Sequence, residues 1–117
     1  MQMLIKNFPN AKFTSEAFKK INQVILSLGC HPENTLFASS VCVDEINHHK
    51  DSLNRQLADF WGECFYMGGL GGLPFVGKTG FKAYSHHVPK DGHILILFAP
   101  HVGMAEDGII GKYCRPG

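Results

Sequence analysis

The sequence predicts an α/β domain with a mainly parallel central sheet flanked by helices, and three observations carry that expectation. Two apolar runs, Thr35 to Cys42 and His93 to His101, have the length and composition of strands. Segments with apolar residues at helical spacing precede the first run and separate it from the second. The first run meets no charge until Asp44, the pattern of a central strand covered on both faces.

Taken in order, residues 14 to 28 form the clearest helix. Phe18, Ile21, Val24, Ile25 and Leu28 share a face, Thr14 or Ser15 is the expected N-cap, and Gly29 stops it. His31-Pro32-Glu33-Asn34 is a turn into the strand that ends at Cys42. A second helix is expected over about 50 to 61, capped by Asp51 or Ser52, with Leu53, Leu57, Phe60 and Trp61 on its buried side. The glycine-rich stretch from Gly68 to Gly80 reads as an irregular loop where backbone approaches something closely. Its flanks, Cys64 to Met67 and Phe81 to Ser85, read as short strands. Pro89-Lys90-Asp91-Gly92 is a tight turn into the second strong strand, Ile94 to Ala99, and Ile109 to Cys114 reads as one more short strand.

With 117 residues and no repeat or linker, the chain is read as one domain over residues 1 to 117. Eleven basic and ten acidic residues are mixed along it, for a net charge of +1, so no basic stripe suits nucleic acid or a membrane surface. No apolar run reaches the length of a membrane span, and the N-terminus lacks a signal h-region and cleavage site. The expectation is a soluble, cytoplasmic protein. Its four cysteines, Cys30, Cys42, Cys64 and Cys114, are widely spaced, which favours thiols or metal ligands over a disulfide framework.

In open α/β sheets, sites assemble at the carboxyl ends of strands, and Cys42 and His101 fall there. A thiolate and an imidazole suit zinc, and Asp44, two residues along an extended chain, would face the same side as Cys42. The plainer alternative makes Cys42 a small core residue and His101 a strand-end residue. A rival motif, Gly72-Leu-Pro-Phe-Val-Gly77-Lys78-Thr79, matches the phosphate loop G-x-x-x-x-G-K-T, yet the residues after it look too short and proline-ended for the helix that motif requires. Cys42 as a nucleophile is favoured by nothing beyond its proximity to a histidine. The pairs His48-His49 and His86-His87 point in divergent directions, so neither pair chelates one ion with both rings, although His86 or His87 is a candidate proton shuttle.

Four ordered motifs, Ser40-Val-Cys42-Val-Asp44-Glu-Ile-Asn47, the Gly68 to Gly80 stretch, His86-His-Val-Pro-Lys-Asp-Gly92 and Phe98-Ala-Pro-His101-Val-Gly103, together resemble the limiting-CO2-inducible protein B/C family, which is similar in fold to β-type carbonic anhydrases. The resemblance runs from about residue 12 to the end. It implies zinc held by Cys, His and Cys ligands, with Cys42 as the first, His101 as the histidine and Asp44 as the acidic residue that orients the nucleophile. The implied reaction is reversible hydration of carbon dioxide to bicarbonate, with an apolar wall from Leu73, Phe75 and Val76 beside the substrate. A homodimer is also implied.

The chain departs from the ordinary β-type pattern at two places. The arginine expected two residues after the aspartate is Ile46, which leaves Arg55 on the following helix as the candidate partner of Asp44. The ligand expected three residues after the histidine is Met104, a poor zinc donor. In the family the third ligand lies past the Arg-Pro-Gly found here as Arg115-Pro116-Gly117, so the chain reads either as a truncated member or as one in which Cys114 substitutes. The alternative function is a non-catalytic, homo- or hetero-oligomeric binding module of the same fold.

Overall fold

The computed structural model describes residues 2–42, 49–62, 64–68, 77–100 and 105–110. Seven elements follow one another: α1 (Gln2–Asn7), α2 (Thr14–Ser27), β1 (Thr35–Val41), α3 (Leu53–Trp61), β2 (Cys64–Tyr66), α4 (Gly77–Ser85) and β3 (His93–Ala99). The strands form one parallel sheet in the order β2-β1-β3, with Phe37 opposite Cys64, and Thr35 to Val41 opposite His93 to Ala99. The expected α/β class and parallel sheet are therefore present.

Alternation along β1 divides the core in two. Phe37 on one face packs with Leu57, Ala58 and Trp61 of α3, joined by Phe18, Ile21 and Ile25 of α2 and by Leu95 and Leu97 of β3. Ala38 on the other face packs with Met67 and Tyr84 of α4, beside Leu36 and Phe65. The two layers are fixed by different polar devices. Trp61 Nε1–H donates to Asn22 Oδ1 at 2.8 Å, a buried bond that ties α3 to α2. Tyr84, with no exposed surface, donates its O–H to the Leu36 carbonyl at 3.0 Å, and so pins α4 over the start of β1.

One asparagine organises the amino end of the sheet. Asn34 Oδ1 accepts from the His31 amide at 2.7 Å and from Thr35 Oγ1 at 2.8 Å, which shapes the turn before β1. Its backbone carbonyl accepts from the His93 amide at 2.7 Å and sets the β1–β3 register. Gly92 must be glycine here, because a Cβ would lie 2.6 Å from the Asn34 carbonyl oxygen and 2.8 Å from that of Pro89. The Pro89–Gly92 turn closes with the Gly92 amide donating to Pro89 O at 2.8 Å, as the sequence suggested.

Three local expectations are corrected. The α2 N-cap is Phe13, with no side-chain cap bond, rather than Thr14 or Ser15. Val24, Leu28 and Phe60 are exposed, because the buried stripe of α2 runs through Phe18, Ile21, Asn22 and Ile25, and Trp61 takes the inward position at the end of α3. The segment Phe81 to Ser85 is not a strand but the second half of α4. Tertiary packing of Tyr84 stabilises this helix despite Gly77 and Gly80, which local propensity disfavours. α1 was not anticipated. The Ser52 cap of α3 is confirmed, its Oγ accepting from the Arg55 amide at 3.1 Å.

Candidate functional site

The parallel register brings the carboxyl ends of all three strands to one edge. Val41 lies opposite Ala99, so Cys42 leaves β1 level with Pro100 at the exit of β3. On the other side, the Met67 amide donates to the Ser39 carbonyl at 2.7 Å and carries the β2 ladder to the same edge. Gly68 then crosses the backbone of Val41 so closely that a Cβ there would overlap the Val41 carbonyl oxygen and lie 2.6 Å from the Val41 nitrogen. The close backbone approach expected of the glycine-rich stretch is thus found at its first residue.

Cys42 is 5% exposed and, like Cys30, forms no disulfide. Strand alternation places it on the face of Ala38 and Ser40, the face that α4 covers. Cys30 packs instead against the α2–α3 cluster, near the amino end of β1. Ser39 and Ser40, each 1% exposed, are buried just ahead of Val41 and Cys42. Sequence reasoning singled out neither; a pair of hydroxyls inside an otherwise apolar run was the available sign.

Asp44 and His101 lie outside the described residues, as do Met104, Cys114 and the proposed wall of Leu73, Phe75 and Val76. Among the described residues, no group of three or more His, Cys, Asp or Glu is gathered to hold a metal ion. Arg55 sits on the exposed side of α3, where its Nε is 3.1 Å from Asp59 Oδ1. His49 Nδ1 is 3.6 Å from Asp51 Oδ2, also at the surface. His86 and His87 directly follow α4. The His87 ring is held there by the Ala83 carbonyl, 2.8 Å from Nδ1, and by the Phe65 ring.

The phosphate-loop rival is altered but not strengthened. The helix thought to be missing after the motif exists, since α4 begins at Gly77. The strand before it does not fit, because β2 ends at Tyr66, well short of Gly72, and occupies one end of the described sheet.

Comparison with known proteins gives a consistent picture. Residues 11–117 match the family described as limiting CO2-inducible proteins B/C, β carbonic anhydrases. The crystal structure of PtLCIB4, a homolog of the limiting CO2-inducible protein LCIB, superposes with a TM-score of 0.81 at 35% identity over 99% of this chain and 48% of that one. A serine-to-arginine mutant of PtLCIB4 gives 0.78 at 35% identity over 95% and 49%. This chain thus spans about half the length of the solved structures it matches. No curated protein sequence matches it.

Proposed function

Because this chain belongs to the limiting-CO2-inducible protein B/C family, whose character is carbonic-anhydrase-like, we propose that it catalyses reversible hydration of carbon dioxide to bicarbonate with zinc held by Cys42 and His101. The observation that carries this reading is the register of β1 and β3. It sets Val41 opposite Ala99, so that Cys42 and the segment leading to His101 leave neighbouring parallel strands at one edge. The donors fit the ion: a buried thiol at a strand exit and an imidazole are the ligand types zinc prefers. When bound, zinc supplies a Lewis acid that makes water nucleophilic toward carbon dioxide near neutral pH.

The chain's own groups have separate tasks in this proposal. Cys42 gives a thiolate donor shielded by the ends of β1 and β2. Asp44, two residues on, accepts a hydrogen bond from the attacking water and orients its lone pair. Arg55 would keep Asp44 ionised, and to do so its guanidinium has to exchange the exposed Asp59 carboxylate for that of Asp44. Cys114 is the candidate third ligand. We place the protein in the cytoplasm, in keeping with two cysteines that form no disulfide. Among the described residues no helix is long and apolar enough to cross a membrane.

A second reading is favoured by the outer strand. Ile94, Ile96 and Phe98 of β3 are exposed on the same sheet face as Leu36, Ala38 and Ser40, as suits a homodimer or a binding module that retains the fold without the chemistry. Stopped-flow hydration of carbon dioxide by the metal-replete protein separates the two. Catalysis above the buffer rate that falls in Asp44→Ala supports the enzyme, and a zinc-loaded protein at the buffer rate supports the module.

A further inference from the structure

We infer that Gly68 is a positioning residue for Cys42: its missing side chain is what lets the end of β2 seat against the backbone that carries the thiol. The inference rests on the reading that Cys42 holds the metal. Gly68 lies outside the positive-φ glycines of the described residues, which are Gly29, Gly62 and Gly108, so its requirement is steric rather than conformational. A Cβ would overlap the Val41 carbonyl oxygen and lie 2.6 Å from the Val41 nitrogen and 2.9 Å from its carbonyl carbon. All three atoms are backbone, which cannot rotate away as a side-chain tip can. β1 is paired on both sides up to this level, with β2 through Ser39 and with β3 through Val41. The free end of the strand is therefore what yields, and the next residue on it is Cys42.

The molecule supplies its own control. Gly92 is crowded too, though less severely, with a Cβ 2.6 Å from the Asn34 carbonyl oxygen, and it stands at the amino end of the sheet. Gly68→Ala and Gly92→Ala should both destabilise the fold, and only the first should disturb the thiol. Two readouts follow in the full chain: alkylation of Cys42 in metal-free protein, mapped by mass spectrometry, and cobalt(II) affinity, read from thiolate-to-cobalt absorbance. Gly68→Ala is expected to speed alkylation of Cys42 beyond what its loss of global stability explains, and to weaken cobalt binding by about tenfold or more, the usual effect of displacing a ligand's support. Gly92→Ala should leave cobalt affinity within about twofold. Equal behaviour of the two variants would overturn the inference. If Gly68→Ala does not fold, hydrogen exchange of the wild-type Met67 amide decides: slower exchange with cobalt bound supports the seat, because coupling between the sites is reciprocal, and unchanged exchange refutes it. Cobalt affinity retained in Cys42→Ser would overturn the metal reading instead, leaving the alkylation comparison to judge Gly68.

Discussion

The buried bond between Trp61 and Asn22 joins the two helices that cover one face of β1, so its removal tests how that layer is held. Trp61 is 2% exposed and Asn22 7%, at a donor–acceptor distance of 2.8 Å. Asn22→Ala leaves the indole N–H buried without this acceptor, which costs about 1–3 kcal/mol, more than the roughly 1 kcal/mol net value of the bond itself. For a domain of this size that corresponds to a fall in Tm of about 4–15 °C. Trp61→Phe alone strands the Asn22 carbonyl, whereas Asn22→Leu with Trp61→Phe removes both polar partners. The double variant should therefore lose less than the sum of Asn22→Leu and Trp61→Phe, by about 0.5–3 kcal/mol. Urea melts followed by circular dichroism give the cycle, and the single tryptophan reports its own environment by emission in Asn22→Ala. Additive losses in the cycle, or Asn22→Ala within about 0.3 kcal/mol of wild type, would refute the argument.

The other expectations concern α4, the turn at Asn34 and the arginine. Tyr84→Phe keeps the ring against Phe65 and removes the hydroxyl that donates to Leu36, so chemical denaturation should show a loss of about 1–3 kcal/mol. Asn34→Ala deletes the side-chain acceptor for the His31 amide and the Thr35 hydroxyl, and should lower Tm while preserving the β1–β3 register, which depends on the backbone carbonyl; amide exchange at His93 checks the second part. Arg55→Ala breaks only an exposed ion pair, so stability should change by less than about 1 kcal/mol in a thermal melt. If Arg55 supports Asp44, the same variant should nonetheless lose most of its hydration activity, and full activity would remove Arg55 from the site.

The elements that were legible in the sequence are those whose apolar period exceeds any local ambiguity. β1 and β3 are charge-free runs bounded by turns, and α2 repeats its inward stripe over four turns, so each could be placed within a residue or so. α4 was misread because Gly77-Lys-Thr-Gly-Phe-Lys-Ala-Tyr-Ser85 has weak helix propensity, and its helix is stabilised by Tyr84, whose partner Leu36 is 48 residues away. Distant contacts of that kind leave no local trace. The same holds for Asn22, a polar residue on an apolar stripe that makes sense only once Trp61 faces it. At the site, Cys42 was legible from its place after β1, and the register makes its neighbourhood with the exit of β3 concrete. Ser39 and Ser40 were overlooked because short hydroxyl side chains pass unnoticed in a strand-like run. The role of Gly68 needed coordinates, since a crowded backbone and an ordinary loop share the same glycines.

The most direct test of the central claim is the zinc content of protein purified without added metal, measured alongside Cys42→Ser and His101→Ala. The account predicts about one zinc per chain in the wild type and a loss of binding in both variants. Zinc at background in the wild type, or retained in Cys42→Ser, would contradict it.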